Sequence, residues 1–122
     1  MLQFICHAKC TTCNRARKFL LERNIEFVER DIQKENPTRD ELRAWLQISA
    51  SPIRRLFNTS GMKYRALGLS KKLDDLSEDD ALDLLAADGM LVKRPVLVGA
   101  NFVLFGFKEA DWEAAITPAS PV

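Results

Sequence analysis

Two cysteines three residues apart, in Cys10-Thr11-Thr12-Cys13, constrain this chain more than any other stretch. They follow an apolar run, Leu2 to Cys6, and open a helical run, Asn14 to Glu22. A strand that feeds a helix through such a pair sets the first cysteine at the helix N-terminus. Unpaired N–H groups and partial positive charge there stabilise a thiolate. Lys9, Arg15, Arg17 and Lys18 add cations nearby. Cys10 is therefore the expected nucleophile, and Cys13, one helical turn on, the expected resolving thiol.

The rest of the composition removes whole classes of function. A chain of 122 residues suits one domain, 1–122, with a real core. A formal net charge of +1 gives no global field toward nucleic acid or an anionic membrane. No apolar run approaches the roughly 20 residues of a membrane span. Met1-Leu2-Gln3-Phe4-Ile5 has no basic region and no long apolar segment, so no signal peptide is expected. All three cysteines fall within the first 13 residues, which is no framework for a secreted disulfide domain. That clustering points to a reducing cytoplasm and a redox or metal site. A monomer is the default expectation.

Along the chain, residues 2–6 read as a buried strand. Ala16, Phe19 and Leu20 form the core stripe of the first helix, and Asn24 ends it in the left-handed region. Ile25 to Ile32 reads as a second strand, parallel to the first. Thr38 and Glu41 have capping-box spacing ahead of Leu42, Trp45 and Leu46. Ser51-Pro52 reads as a helix start with Pro at its first position, continuing through Ile53 to Phe57. A short helix, Met62 to Leu67, ends at Gly68, and Ser77 caps another with acids in its first turn. Val96 to Val98 and Phe102 to Phe105 read as a hairpin, Lys108 to Ile116 as a last helix, and Thr117 to Val122 as a frayed tail. The order predicts an α/β fold: a thioredoxin-like βαβ–ββα core, about residues 1–34 and 90–116, interrupted by an all-helical insertion over about 37–89.

Three motifs in this order carry a family resemblance: Cys10-Thr11-Thr12-Cys13-Asn14-Arg15, the segment Phe57 to Leu69, and Met90-Leu91-Val92-Lys93-Arg94-Pro95. Together they resemble the arsenate reductase (ArsC) and Spx/MgsR family of thioredoxin-fold proteins, over roughly residues 2–116. The resemblance implies Cys10 as nucleophile and an oxyanion held by three arginines. Arg54 and Arg94 match two of them; the third would follow the last strand, where this chain reads Phe105-Gly106-Phe107. It further implies a cis bond at Arg94–Pro95 facing the cysteine motif, and reduction by thioredoxin or by glutathione and glutaredoxin. Cys13 matches the disulfide switch of Spx-type regulators, which bind the C-terminal domain of the RNA polymerase α subunit. Those regulators carry a glycine-containing acidic stretch where this chain has Ser51-Pro52-Ile53-Arg54-Arg55.

Several residues keep a second reading. Cys6 ends an apolar strand and reads as a core thiol. Cys6, Cys10 and Cys13 have the spacing of a radical-SAM cluster, but the chain is too short for the barrel such enzymes need. Zinc through His7, Cys10 and Cys13 lacks a fourth ligand, so neither metal nor cofactor is expected. His7 is either a base near Cys10 or a solvent-facing loop residue. Arg54 and Arg94 are either anion ligands or solvated charges. Trp45, Trp112, Phe19 and Phe27 are expected in the core, and the Lys71-Lys72 and Asp74-Asp75 runs at solvated helix ends.

Overall fold

The computed structural model describes residues 2–116, so the expected tail Thr117 to Val122 lies outside the described residues. A four-stranded sheet runs in the order β2-β1-β3-β4, formed by β1 (Leu2–Cys6), β2 (Phe27–Asp31), β3 (Val96–Val98) and β4 (Val103–Phe105). β1 pairs with β2 in parallel, Phe4 opposite Glu29. It pairs antiparallel with β3, Phe4 opposite Leu97, and β3 pairs antiparallel with β4, Leu97 opposite Leu104. The predicted βαβ–ββα core and its helical insertion are both present.

Alternation along β1 decides what lies on each face of the sheet. Successive strand residues point to opposite faces. Phe4 and Cys6 join Cys13, Ala16, Phe19, Leu20, Leu97 and Trp112 in one buried cluster. These come from β1, β3, α1 (Thr11–Glu22) and α6 (Glu109–Ile116). Ile5, Val96, Val103 and Phe105 join the second cluster with the helical insertion. Trp112 centres the first cluster, fully buried, with edge-on contacts to Phe4, Phe19 and Phe107. Its indole N–H donates to the Gly106 carbonyl at 2.9 Å. Phe27 departs from expectation: it is only partly buried, because β2 is an edge strand with one neighbour. It still meets Phe4 edge-on.

Helix boundaries follow their caps. Asn24 takes φ 55, the expected left-handed stop after α1. At α2 (Arg39–Ser49) the Thr38 hydroxyl accepts from the Glu41 N–H at 3.1 Å, and the Glu41 carboxylate accepts from the Thr38 N–H at 3.0 Å. Leu42, Trp45 and Leu46 then face inward. α3 (Met62–Ala66) and α4 (Leu69–Lys72) flank Gly68, which takes φ 64. At α5 (Glu78–Ala87) the Ser77 hydroxyl accepts from the Asp80 N–H at 3.0 Å. Arg39 and Arg43 tie α2 to α5 through Asp79 and Asp83.

One expected element changed form. Ile53–Leu56 is a single 3₁₀ turn, and Pro52 stands before it with extended backbone rather than inside it. The chain leaves this turn to pair elsewhere. Phe57 bridges Val92, the Asn58 N–H donates to Leu91 at 2.7 Å, and the Lys93 N–H donates to Leu56 at 2.8 Å. That pairing draws the Arg54 segment alongside the Arg94 segment.

Candidate functional site

Cys10 is the N-cap of α1, with extended backbone. Its Sγ accepts the Cys13 N–H at 3.3 Å, and its carbonyl accepts the Asn14 N–H at 3.1 Å. The first turn of α1 carries no acidic residue. A sulfur in this position takes up an orphan helix donor and sits against the positive end of the dipole. Cys10 is half-buried. It lines an open cavity of about 870 Å³.

Cys13 lives in a different medium. Its residue has no exposed surface, and it packs with Phe4, Ala16 and Trp112. Burial pushes its thiol up to about 12, opposed by a backbone hydrogen bond at His7 and reinforced by the neighbouring Cys10 and Cys6. Three residues on the same turn thus separate a sulfur at a cavity from a sulfur held protonated behind it. Both thiols are free here, as is Cys6.

The far wall of the cavity is cationic. Arg54, Arg55, Lys93, Arg94 and Lys108 line it, against the single acid Asp111. Arg54 is anchored: it donates to the Tyr64 hydroxyl and to the Asp74 carboxylate, both at 2.8 Å. Asp74 is exposed in a short helical turn, as expected, and also pairs with Arg54. Arg94 has no carboxylate partner among the described residues and donates to the Met90 thioether at 3.0 Å. A thioether is a weak acceptor, so the guanidinium charge is left uncompensated. The Arg94–Pro95 bond is cis. Pro95 is buried, and its carbonyl accepts the Gly106 N–H at 2.8 Å, which joins the turn to the end of β4.

The sequence matches the ArsC family over residues 6–115. The chain belongs to the ArsC family. It is 46% identical to YusI of Bacillus subtilis (strain 168) over 112 residues, covering 92% of this chain and 95% of that one. It is 28% identical to the regulatory protein MgsR of the same organism over 110 residues, covering 90% and 86%. Among solved structures, an ArsC family related protein from Bacteroides fragilis superposes with a TM-score of 0.90 at 46% identity, covering 93% of this chain and 95% of that one.

Within this ArsC-family chain the cations named around the cysteine motif divide. Lys9, Arg15 and Lys18 are exposed. Arg17 turns the other way: it pairs with Glu29 at 2.7 Å, donates to the Cys6 sulfur at 3.3 Å and lies over the Phe4 ring. The positive charge at the Cys10 cavity comes instead from Arg54, Arg94 and their neighbours, far away in sequence. His7 is tied to Gln33 at 2.9 Å through Nε2 and accepts the Lys9 N–H at 3.4 Å through Nδ1, so both ring nitrogens are engaged. Cys6 is buried, and burial raises its thiol, with Glu29 adding to the effect and Arg17 opposing it. Among the described residues no three His, Cys, Asp or Glu side chains gather to hold a metal, and no helix is long and apolar enough to cross a membrane. The cavity cations not singled out from sequence are Arg55, Lys93 and Lys108. Lys93 stands in the motif beside Arg94-Pro95, which was the available signal.

Proposed function

We propose that this protein is a cytoplasmic thiol–disulfide redox protein of the arsenate-reductase type, with Cys10 as nucleophile and Cys13 as resolving thiol. One observation carries the reading: Cys10 lies at a helix N-terminus on a cationic cavity, with Cys13 buried one turn behind. The Cys10 thiolate attacks one sulfur of a substrate disulfide and expels the other as a thiolate. Cys13 then loses its proton and attacks the Cys10 sulfur of the mixed disulfide, closing Cys10–Cys13 and releasing the second thiol. Two protein thiols give up two electrons and two protons, and the substrate disulfide gains them. A thioredoxin, or glutathione with glutaredoxin, would return the pair to its thiol form. Arg94, with Arg54 in support and Pro95 fixing the turn, would hold an anionic group near the reacting sulfur.

Turnover assays with arsenate, small disulfides and protein disulfides test this reading on the parent, Cys10→Ser and Cys13→Ser. Cys10→Ser should abolish every activity the parent has. A Cys13→Ser variant that cycles as fast as the parent over many turnovers would remove the resolving role. The likeness to MgsR supports a second reading, in which the pair is a redox switch of a transcription regulator. It requires a complex with the RNA polymerase α C-terminal domain whose affinity changes when Cys10–Cys13 is oxidised. Absence of such a complex in both states ends it.

A further inference from the structure

We infer that Lys93 supplies the Cys10 cavity with a cation in place of the third arginine that the family resemblance implies, and that it selects organic thiol or disulfide substrates bearing a carboxylate. The inference rests on the reading of Cys10 as nucleophile and adds the class of molecule that reaches it. Gly106 lies at the end of β4, where the family resemblance sets a third arginine, and takes φ 77. A Cβ built there would meet Lys93 Cε at 2.7 Å and Lys93 Cδ at 3.6 Å. The missing side chain is therefore the groove in which the Lys93 stem lies. Both backbones are pinned: the Lys93 N–H donates to Leu56 at 2.8 Å, and the Gly106 N–H donates to Pro95 at 2.8 Å. Both residues line the cavity.

Charge decides what the ammonium is for. Among the described residues the Lys93 ammonium has neither a carboxylate nor a hydrogen-bond partner, although the residue is half-buried. Arg54 is compensated by Asp74, whereas Arg94 and Lys93 are not. Partly desolvated cations that share one cavity repel, and a bound anion would relieve them. An ammonium is a point charge without a guanidinium's fork, so it takes one oxygen of a carboxylate rather than clasping a tetrahedral oxyanion bidentately. A cavity of about 870 Å³ also lies in the size range of sites for organic molecules, about 300–1,000 Å³.

Two reagents separate this inference from the one beneath it. Dithiobis(nitrobenzoate) carries a carboxylate on each ring; dithiodipyridine is neutral. With either, the Cys10 thiolate forms a mixed aryl disulfide and expels one aryl thiolate, and Cys13 displaces the second. Rates are read from the released thiol, with Cys10 assigned by mass spectrometry. Lys93→Met should slow the dianionic reagent about five-fold, as for a partly screened ion pair, and leave the neutral one unchanged. Lys93→Arg should keep the parent rates. Raising salt to about 0.5 M should erase the parent's preference. Equal slowing with both reagents, or no slowing with either, overturns the role of Lys93 while leaving Cys10 as nucleophile. If Cys10 of the parent reacts with neither reagent, the nucleophile reading falls and this inference with it.

Discussion

Thiol labelling of the native protein measures directly how far the two motif cysteines have been driven apart. The perturbation is iodoacetamide at about pH 8. A free thiol with a pKa of roughly 8.5 is about one-quarter thiolate there. With its thiol pushed up to about 12, Cys13 is ionised in only about one molecule in ten thousand. Ionisation alone should therefore slow its alkylation by about 2,000-fold relative to a free thiol. The absence of exposed surface slows it further. Cys10, half-buried on the cavity, should label first, with Cys6 and Cys13 protected until the chain unfolds.

Native-state labelling times from peptide mass spectrometry, compared with the same protein in concentrated guanidinium, provide the assay. All three thiols should react alike once unfolded. A native Cys13 labelled within about ten-fold of its unfolded rate would refute the reasoning, because burial would then supply almost none of the protection assigned to it. A corollary bears on the resolving step. Charge on Cys10 and its hydrogen bond to Cys13 both help hold the Cys13 proton. Once Cys10 is in a mixed disulfide, both influences vanish, while burial, the Cys6 contribution and the opposing backbone hydrogen bond at His7 remain. In the proposed reaction the first step would thus ease, without removing, the hold on the Cys13 proton.

Three further outcomes test the frame around the site. Trp112→Ala should destabilise the fold by about 3–5 kcal/mol, since it empties a fully buried position with three aromatic neighbours and leaves the Gly106 carbonyl unpaired; chemical denaturation reads it. Thr38→Ala should cost about 1 kcal/mol by the same measurement, through loss of the capping box. Arg30 holds the Glu41 carboxyl below its ordinary range through bonds at 2.7 and 3.0 Å, so this pairing stabilises the fold above the unfolded carboxyl value and is lost as pH falls through the folded one. Glu41 is partly exposed, so the contribution is at most about 1 kcal/mol, and Glu41→Gln should flatten the parent's stability loss between about pH 5 and pH 3.

Local features and the parallel pairing of β1 with β2 were legible in the sequence; the contacts between the insertion and the second half of the core were not. The capping box of Thr38 and Glu41, the Ser77 cap and the left-handed Asn24 each depend on residues within one turn, and their chemistry has few alternatives. The burial of Ala16, Phe19 and Leu20 follows from helical spacing alone. By contrast, Pro52 opens no α-helix because Phe57 is drawn away to bridge Val92, some 35 residues distant. Arg17 lies near Cys10 in sequence, yet it faces Cys6 because Glu29 on the neighbouring strand captures it. Phe27 is half covered because β2 turned out to be an edge. The bed of Lys93 on Gly106 joins two segments whose adjacency arises only when β4 returns beside β3.

The sheet also bears on which of the two proposed uses the fold suits. Cys13 belongs to the cluster with Phe4, Phe19 and Trp112, on the face opposite the helical insertion. Oxidation to a Cys10–Cys13 disulfide would act on that cluster and on the first turn of α1. A signal to the insertion across the cavity would pass through the Arg94–Pro95 turn and the segment paired with it at Phe57 and Asn58. That route begins at uncompensated cations, Arg94 and Lys93, which line the cavity and which an anionic substrate of the proposed reaction would meet. A disulfide formed within α1 reaches them only through space, by withdrawing negative charge from Cys10. Coupling of that kind is strongest with a charged molecule in the cavity and weak without one. On the proposed reading of Cys10 as nucleophile, this arrangement would suit chemistry on an anion in the cavity better than a switch working at a distance. A regulator built on this frame would read its redox state at the cavity rim, where Arg54 and Arg55 already stand.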